Sequence, residues 1–225
     1  MKQLLLFFTL CVLLNPASAQ DLSADEVLAN VTEAAQALQD AQFLLVGTLL
    51  DPDGSELALE VDMQVVPGEK LARADFFQPD ALADNFVIFD DESVYNYVFL
   101  TNQISIFASD DPNAIGGLFP DSNVQEELDF NLDLDKLFEG WEVSKEAYEE
   151  DRYRLKFTNS DELGAIRYVL ASVVDGTWEP YNFRFVGAED ELIADLTLDN
   201  FERDTGLDPE DVRYYPDDAE VIDER

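Results

Sequence analysis

Leu57-Ala58-Leu59-Glu60-Val61-Asp62-Met63-Gln64-Val65 is the stretch that decides the fold. Leu57, Leu59, Val61, Met63 and Val65 fall on one face of an extended chain, and Ala58, Glu60, Asp62 and Gln64 on the other. That two-residue period is a strand with one wet side. Upstream, Gln42 to Leu50 is apolar on both faces, and Asp51-Pro52-Asp53-Gly54 between the two has the composition of a tight turn. An antiparallel hairpin is predicted.

Working outward, the same alternation predicts strands at Lys70 to Phe77, Asn85 to Phe89, Ser93 to Leu100 and Gln103 to Ala108, with turns at Asp90-Asp91-Glu92 and Thr101-Asn102. The second half predicts strands at Glu142 to Tyr148, Arg152 to Thr158, Ala165 to Ser172, Tyr181 to Val186 and Leu192 to Phe201. No long helical pattern intervenes, so βαβ architecture is excluded. Before the first strand, Val27, Val31, Ala34 and Leu38 recur at helical spacing over Ser23 to Gln39, and Ser23 with Glu26 has the capping-box pattern. Ser109 to Asp133 interrupts the alternation with Asp-Pro, Gly-Gly and Phe-Pro, and is too long for an ordinary connection. Its Ile115, Leu118 and Phe119 suit either a lid or a core plug; Asp135 to Gly140 reads as one helical turn. The expected fold is α+β: a strongly curved antiparallel sheet of about ten or eleven strands forming an incomplete β-barrel, with a long N-terminal helix and a short helical lid segment.

Residues 1–19 read as a secretory signal: Lys2 gives the charged start, Leu4 to Leu14 the apolar run, and Ala17-Ser18-Ala19 the cleavage site. Asn15 and Pro16 stop the run short of the roughly 20 residues a membrane span needs, so no stable anchor is expected. Cys11 lies inside the apolar core of the signal, after Phe8-Thr9-Leu10, which does not suit lipidation. Residues 20–225 then form one expected domain. The chain carries 13 basic and 50 acidic residues, a net charge of −37, one unit more negative once Lys2 leaves. Such a surface repels nucleic acid and anionic headgroups. An apolar content of 47%, with 16 Phe and 8 Tyr, is enough for a packed core.

The chain has no histidine, and its one cysteine is Cys11. The exported part therefore has no disulfide, no His-based triad and no His-ligated zinc. Carboxylate pairs such as Asp133 and Asp135, or Glu149 and Glu150, arise by chance in so acidic a chain. Asp51-Pro52-Asp53-Gly54 lacks the further ligands of a calcium loop. The residues call for no catalytic group, no metal and no cofactor: not an enzyme.

Several strands carry one large apolar face: Tyr95, Tyr97 and Phe99; Tyr153, Leu155 and Phe157; Ile166, Tyr168 and Leu170; Tyr181, Phe183 and Phe185. An ordinary core, the helix, the loop at Ile115 to Phe119 or an apolar ligand can each fill the space these face. The candidate ligand-binding set is Leu59, Val61, Met63, Tyr95, Tyr97, Phe99, Ile115, Leu118, Phe119, Tyr153, Leu155, Phe157, Tyr168, Phe183 and Phe185. On the opposite faces stand Arg152, Arg154, Lys156, Arg167 and Arg184, expected to pair across strands with acids such as Asp195 and Asp199.

The order of elements and several strings resemble the periplasmic outer-membrane lipoprotein carriers, the LolA-like proteins. The strings are Phe43-Leu44-Leu45-Val46-Gly47-Thr48, the turn at Asp53-Gly54, Phe77-Gln78-Pro79-Asp80, Val87-Ile88-Phe89-Asp90-Asp91-Glu92-Ser93-Val94-Tyr95-Asn96-Tyr97, and Val212-Arg213-Tyr214-Tyr215-Pro216 as a terminal strand before proline. The resemblance covers nearly all of the exported chain. It implies a monomeric periplasmic carrier that takes acylated lipoproteins from an inner-membrane lipoprotein-releasing transporter to an outer-membrane acceptor, or a sensing or scaffolding module of the same fold. A 16-carbon chain in water costs on the order of 12 kcal/mol at roughly 0.8 per methylene, so a courier must shield it. Where the family often has a lid-fastening arginine, this chain has Gly68, and Lys70 or Arg73 is the nearest substitute.

Overall fold

The computed structural model describes residues 22–50, 54–111, 114, 132–160 and 165–225. Among the described residues twelve strands form one sheet: β1 (Ala41–Leu50), β2 (Glu56–Val66), β3 (Leu71–Gln78), β4 (Phe86–Asp90), β5 (Ser93–Val98), β6 (Gln103–Ala108), β7 (Glu142–Glu149), β8 (Arg152–Thr158), β9 (Ile166–Val174), β10 (Pro180–Gly187), β11 (Leu192–Arg203) and β12 (Glu220–Asp223). Their order is β12-β6-β5-β4-β3-β2-β1-β11-β10-β9-β8-β7. Every neighbour pairs antiparallel except β12, which runs parallel to β6. The two ends of the order, β12 and β7, do not meet, so the sheet is strongly curved but not closed.

The hairpin read from the sequence opens the sheet. Phe43 stands opposite Met63, Leu45 opposite Val61 and Gly47 opposite Leu59. The two halves of the chain join through β1 and β11, where Leu45 faces Leu198 and Gly47 faces Leu196. Gly47 is required there: a Cβ on it would lie 2.0 Å from the Asp195 carbonyl oxygen.

The helix α1 (Ala24–Gln36) is thirteen residues, an ordinary length rather than the long helix expected. Its capping box is present, with the Ser23 N–H donating to Glu26 Oε2 at 2.8 Å and the Glu26 N–H to Ser23 Oγ at 3.3 Å. Val27, Val31 and Ala35 form its buried stripe. A short helix α2 (Leu134–Leu137) is capped by Asp133, which also accepts a 2.8 Å hydrogen bond from Thr32 Oγ1 of α1.

The chain's end departs from expectation. Val212-Arg213-Tyr214-Tyr215 is not a strand, because Asp208 accepts from the Glu210 N–H and Pro209 sits in the first turn, starting helix α3 (Pro209–Val212). The terminal strand comes later, as β12. Residues 204–225 thus form a strap, rooted where buried Asp40 accepts from the Thr205 N–H, its hydroxyl and the Gly206 N–H.

Candidate functional site

The sheet has two apolar faces, and different parts of the chain cover them. One cluster of buried side chains draws on β1, β2, β3, β8, β9, β10 and β11 together with α1 and α2. In a flat sheet β3 and β8 would stand about 29 Å apart, at roughly 4.8 Å per strand spacing, so the sheet bends round the helix and this face is the inner one. A second cluster, Val66, Leu71, Phe86, Ile88, Tyr97 and Ile104, lies on the outer face of β2 to β6 and packs against Val212 of the strap.

Of the candidate residues, Val61, Tyr153, Leu155, Phe157 and Phe183 are buried on the inner face, and Leu59, Met63 and Phe185 are half-buried there. Phe138 of the α2 turn stacks on Phe157 with centroids 4.4 Å apart, and Tyr153 stacks on Trp178 at 5.8 Å. Ile115, Leu118 and Phe119 lie outside the described residues. Their neighbour Ala114 is buried against Val87 and Val94 of the inner face.

Four candidates belong elsewhere. Tyr95 and Tyr97 point outward beneath the strap, Tyr97 stacking on Phe86 at 4.5 Å and Tyr95 on Tyr215 at 6.2 Å. Phe99 follows β5 in a 3-10 turn and is 57% exposed. Tyr168 points outward, with the Lys156 ammonium 4.3 Å from its ring centre. Tyr181 likewise lies under Arg152, at 3.8 Å, because the register with β9 slips beside it. Strand β9 is apolar on both faces, so alternation alone could not choose a side. Pairing chooses: Phe157 and Phe185 both stand opposite Val169, which makes Val169, Ala171 and Val173 the inner set. Those three, with Phe43, Leu198, Phe138 and Trp141, are lining the sequence reading missed.

Beneath α1 is a hollow of about 20 Å³ among Val31, Ala35, Leu38, Trp178 and Phe201, room for one water. A cleft of about 250 Å³ lies between α1, α2 and the start of β7, with Leu28, Phe138, Trp141, Val143 and Phe157 in its wall and Asp135, Lys136 and Glu139 at its rim. It approaches the lower end of the range for small-ligand pockets. Among the described residues no group of three acidic, histidine or cysteine side chains could hold a metal.

Neither substitute for the lid arginine faces the inner side. Lys70 pairs with Asp91 at 2.6 Å on the surface. Arg73 holds Asp75 through two hydrogen bonds of 2.7 and 2.8 Å, lies 4.1 Å over the Phe86 ring and donates to the Tyr214 carbonyl, so it fastens the strap. Arg213 in the strap reaches back to Asp90 at 2.8 Å and Glu69 at 3.4 Å. That guanidinium holds the Asp90 carboxyl below its ordinary value. Asp62 stands opposite Asp75, and burial, with that neighbouring charge, pushes it up. The outer cations of β8 to β10 are paired as expected in kind: Arg184 with Asp195 at 3.2 Å, Arg167 with Asp190 at 2.6 Å, and Arg152, Arg154 and Lys156 with Glu150, Glu149 and Glu146 at 3.9–4.0 Å.

No protein-family profile and no curated protein matches the sequence. Solved structures do. An uncharacterized conserved protein from Thermus thermophilus is 20% identical over 89% of this chain and 98% of that one, with a TM-score of 0.62. MucB, also solved with MucA from Pseudomonas aeruginosa, is 14% identical over 88% of this chain and 65% of its own, at 0.56. A LolA superfamily protein from Nitrosomonas europaea is 13% identical over 80% and 93%, at 0.38. A LolA superfamily protein is among the matched structures; what this chain shares with the Thermus thermophilus protein and MucB is the fold.

Proposed function

We propose that the protein is a soluble periplasmic carrier, one domain and no enzyme, that holds the acyl chains of lipoproteins against the inner face of the sheet on their way from the inner to the outer membrane. The observation that carries this reading is the inner face itself. It is lined by aliphatic and aromatic side chains from strands β1 to β3 and β8 to β11, and at one end its row Leu57, Leu59, Val61 runs out of the core, with Leu57 37% exposed. An acyl chain gains most of its shielding from such a surface. Release of cargo is then a matter of moving a cover, and no covalent step is needed. Mass spectrometry of protein purified from its native compartment should find lipid or lipoprotein bound. Clean protein that also fails to extract lipidated cargo from membranes would refute the reading.

The likeness to MucB supports a second reading, a non-transporting sensing or scaffolding module on the same fold. MucB has been solved in complex with MucA. A deletion strain with normal lipoprotein sorting and altered stress signalling would select this second reading.

A further inference from the structure

The β5–β6 turn presents three consecutive apolar side chains to solvent: Val98 is 38% exposed, Phe99 57% and Leu100 91%. Three adjacent apolar side chains left that open form a patch rather than a scattered surface residue, and such patches mark interaction sites. The turn is also stiff. The Phe99 N–H donates to Asn85 Oδ1 at 2.9 Å, the Asn102 N–H to the Phe99 carbonyl at 3.1 Å, and the Tyr97 hydroxyl to Asn102 Oδ1 at 2.9 Å. The strap clamps it from the other side, through Asn102 Nδ2 to the Asp218 carbonyl at 3.0 Å and the Glu220 N–H to the Asn102 carbonyl at 2.9 Å. The apolar side chains are therefore held outward and cannot fold back onto the protein.

Phe77, 48% exposed, stands at the same end of the sheet, since Asp75, Phe86 and Tyr97 form one row across β3, β4 and β5. Glu60 pairs with Gln78 at the end of β3, so Leu57 and Leu59 lie beyond that row as well. The exposed turn and the open end of the inner face share one rim.

Charge selects what can meet this rim. No lysine or arginine occurs between Arg73 and Lys136, while Asp80 and Asp84 lie in the β3–β4 loop, Asp218 in the strap and Glu220 at the start of β12. A second copy of a chain with net charge −37 is repelled, and a few side chains bury too little for a stable dimer. An anionic membrane is repelled for the same reason. A zwitterionic bilayer surface offers apolar depth without net charge.

We infer that Phe99 and Leu100 seat the protein on zwitterionic lipid, bringing the open end of the inner face to the bilayer. This rests on the carrier reading for its purpose but not for its test. Flotation of the purified protein with phosphatidylcholine vesicles should show it travelling with the lipid. The double variant Phe99→Ser/Leu100→Ser should lower the partition coefficient by about 100-fold or more, while Tyr214→Ser, a 59% exposed aromatic on the strap, leaves it unchanged. Replacing part of the lipid by phosphatidylglycerol should weaken binding, and added salt should restore it. Wild-type protein that stays with the buffer, equal flotation of the double variant, or tighter binding to anionic vesicles would overturn the inference; the first of these would leave a protein receptor as the occupant of the rim. Fluorescent fatty-acid binding, measured in parallel, should be the same in wild type and double variant. Its absence from both, with flotation intact, would sink the carrier reading and leave the docking surface standing.

Discussion

Tyr97 separates the two faces of the sheet in one experiment. Its side chain is 5% exposed, stacked on Phe86 at 4.5 Å and hydrogen-bonded to Asn102 at 2.9 Å, all under the strap and away from the inner face. Replacing it with alanine removes a buried aromatic and leaves a cavity, a loss of about 3–5 kcal/mol. In a protein of this size that lowers Tm by about 6–20 °C, at roughly 2–4 °C per kcal/mol. Tyr97→Phe keeps the ring and loses one hydrogen bond to a half-exposed partner, costing about 0.5–1.5 kcal/mol. Thermal and urea unfolding measure both, and fluorescent fatty-acid titration measures binding. The two variants should lose stability in that order while the folded protein keeps its affinity; Phe183→Ala, on the inner face, should lose both. If Tyr97→Phe weakened fatty-acid binding at unchanged stability, Tyr97 would line the binding face and the assignment of the two faces would be wrong.

Two further outcomes follow from single contacts. Gly47→Ala drives a Cβ to 2.0 Å from the Asp195 carbonyl oxygen, so β1 and β11 must part; a loss of about 1–3 kcal/mol in urea unfolding is expected, and unchanged stability would show that the strands are not so close. Arg213→Ala should cost about 1–2 kcal/mol at neutral pH, between the values for exposed ion pairs and for hydrogen bonds to charged groups. Because Arg213 lowers the Asp90 pKa in the folded state, the stability that pair supplies is complete above the ordinary carboxylate pKa of about 4 and is lost as pH falls through the lowered value. The gap between wild type and variant should therefore close in acid, and a gap that widened there would contradict the assignment.

The hairpin, the capping box of α1 and eleven of the twelve strands are legible in local pattern, since each depends on residues next to one another. Strand alternation assigns a residue to one of two faces, and where only one face is apolar it also tells which is inside. Tyr153, Leu155 and Phe157 alternate with Arg152, Arg154 and Lys156, and their placement follows at once. Tyr168 was misplaced because β9 is apolar on both faces. Tyr95 and Tyr97 were misplaced because β3 to β6 have two apolar faces, each with its own cover.

Local pattern alone makes a histidine-free chain whose period-two alternation forms a sheet and whose Ser23 starts a helix. Those are short-range matters of backbone geometry and side-chain polarity. Which face is inner, that Arg73 fastens a strap, and that Phe99 and Leu100 stand in solvent follow from long-range packing. The partners that decide these points lie far along the chain: Tyr97 shares a buried cluster with Val212, and Arg73 meets the carbonyl of Tyr214. No local pattern encodes a contact that exists only once the sheet has curved and the chain's end has been laid across its back.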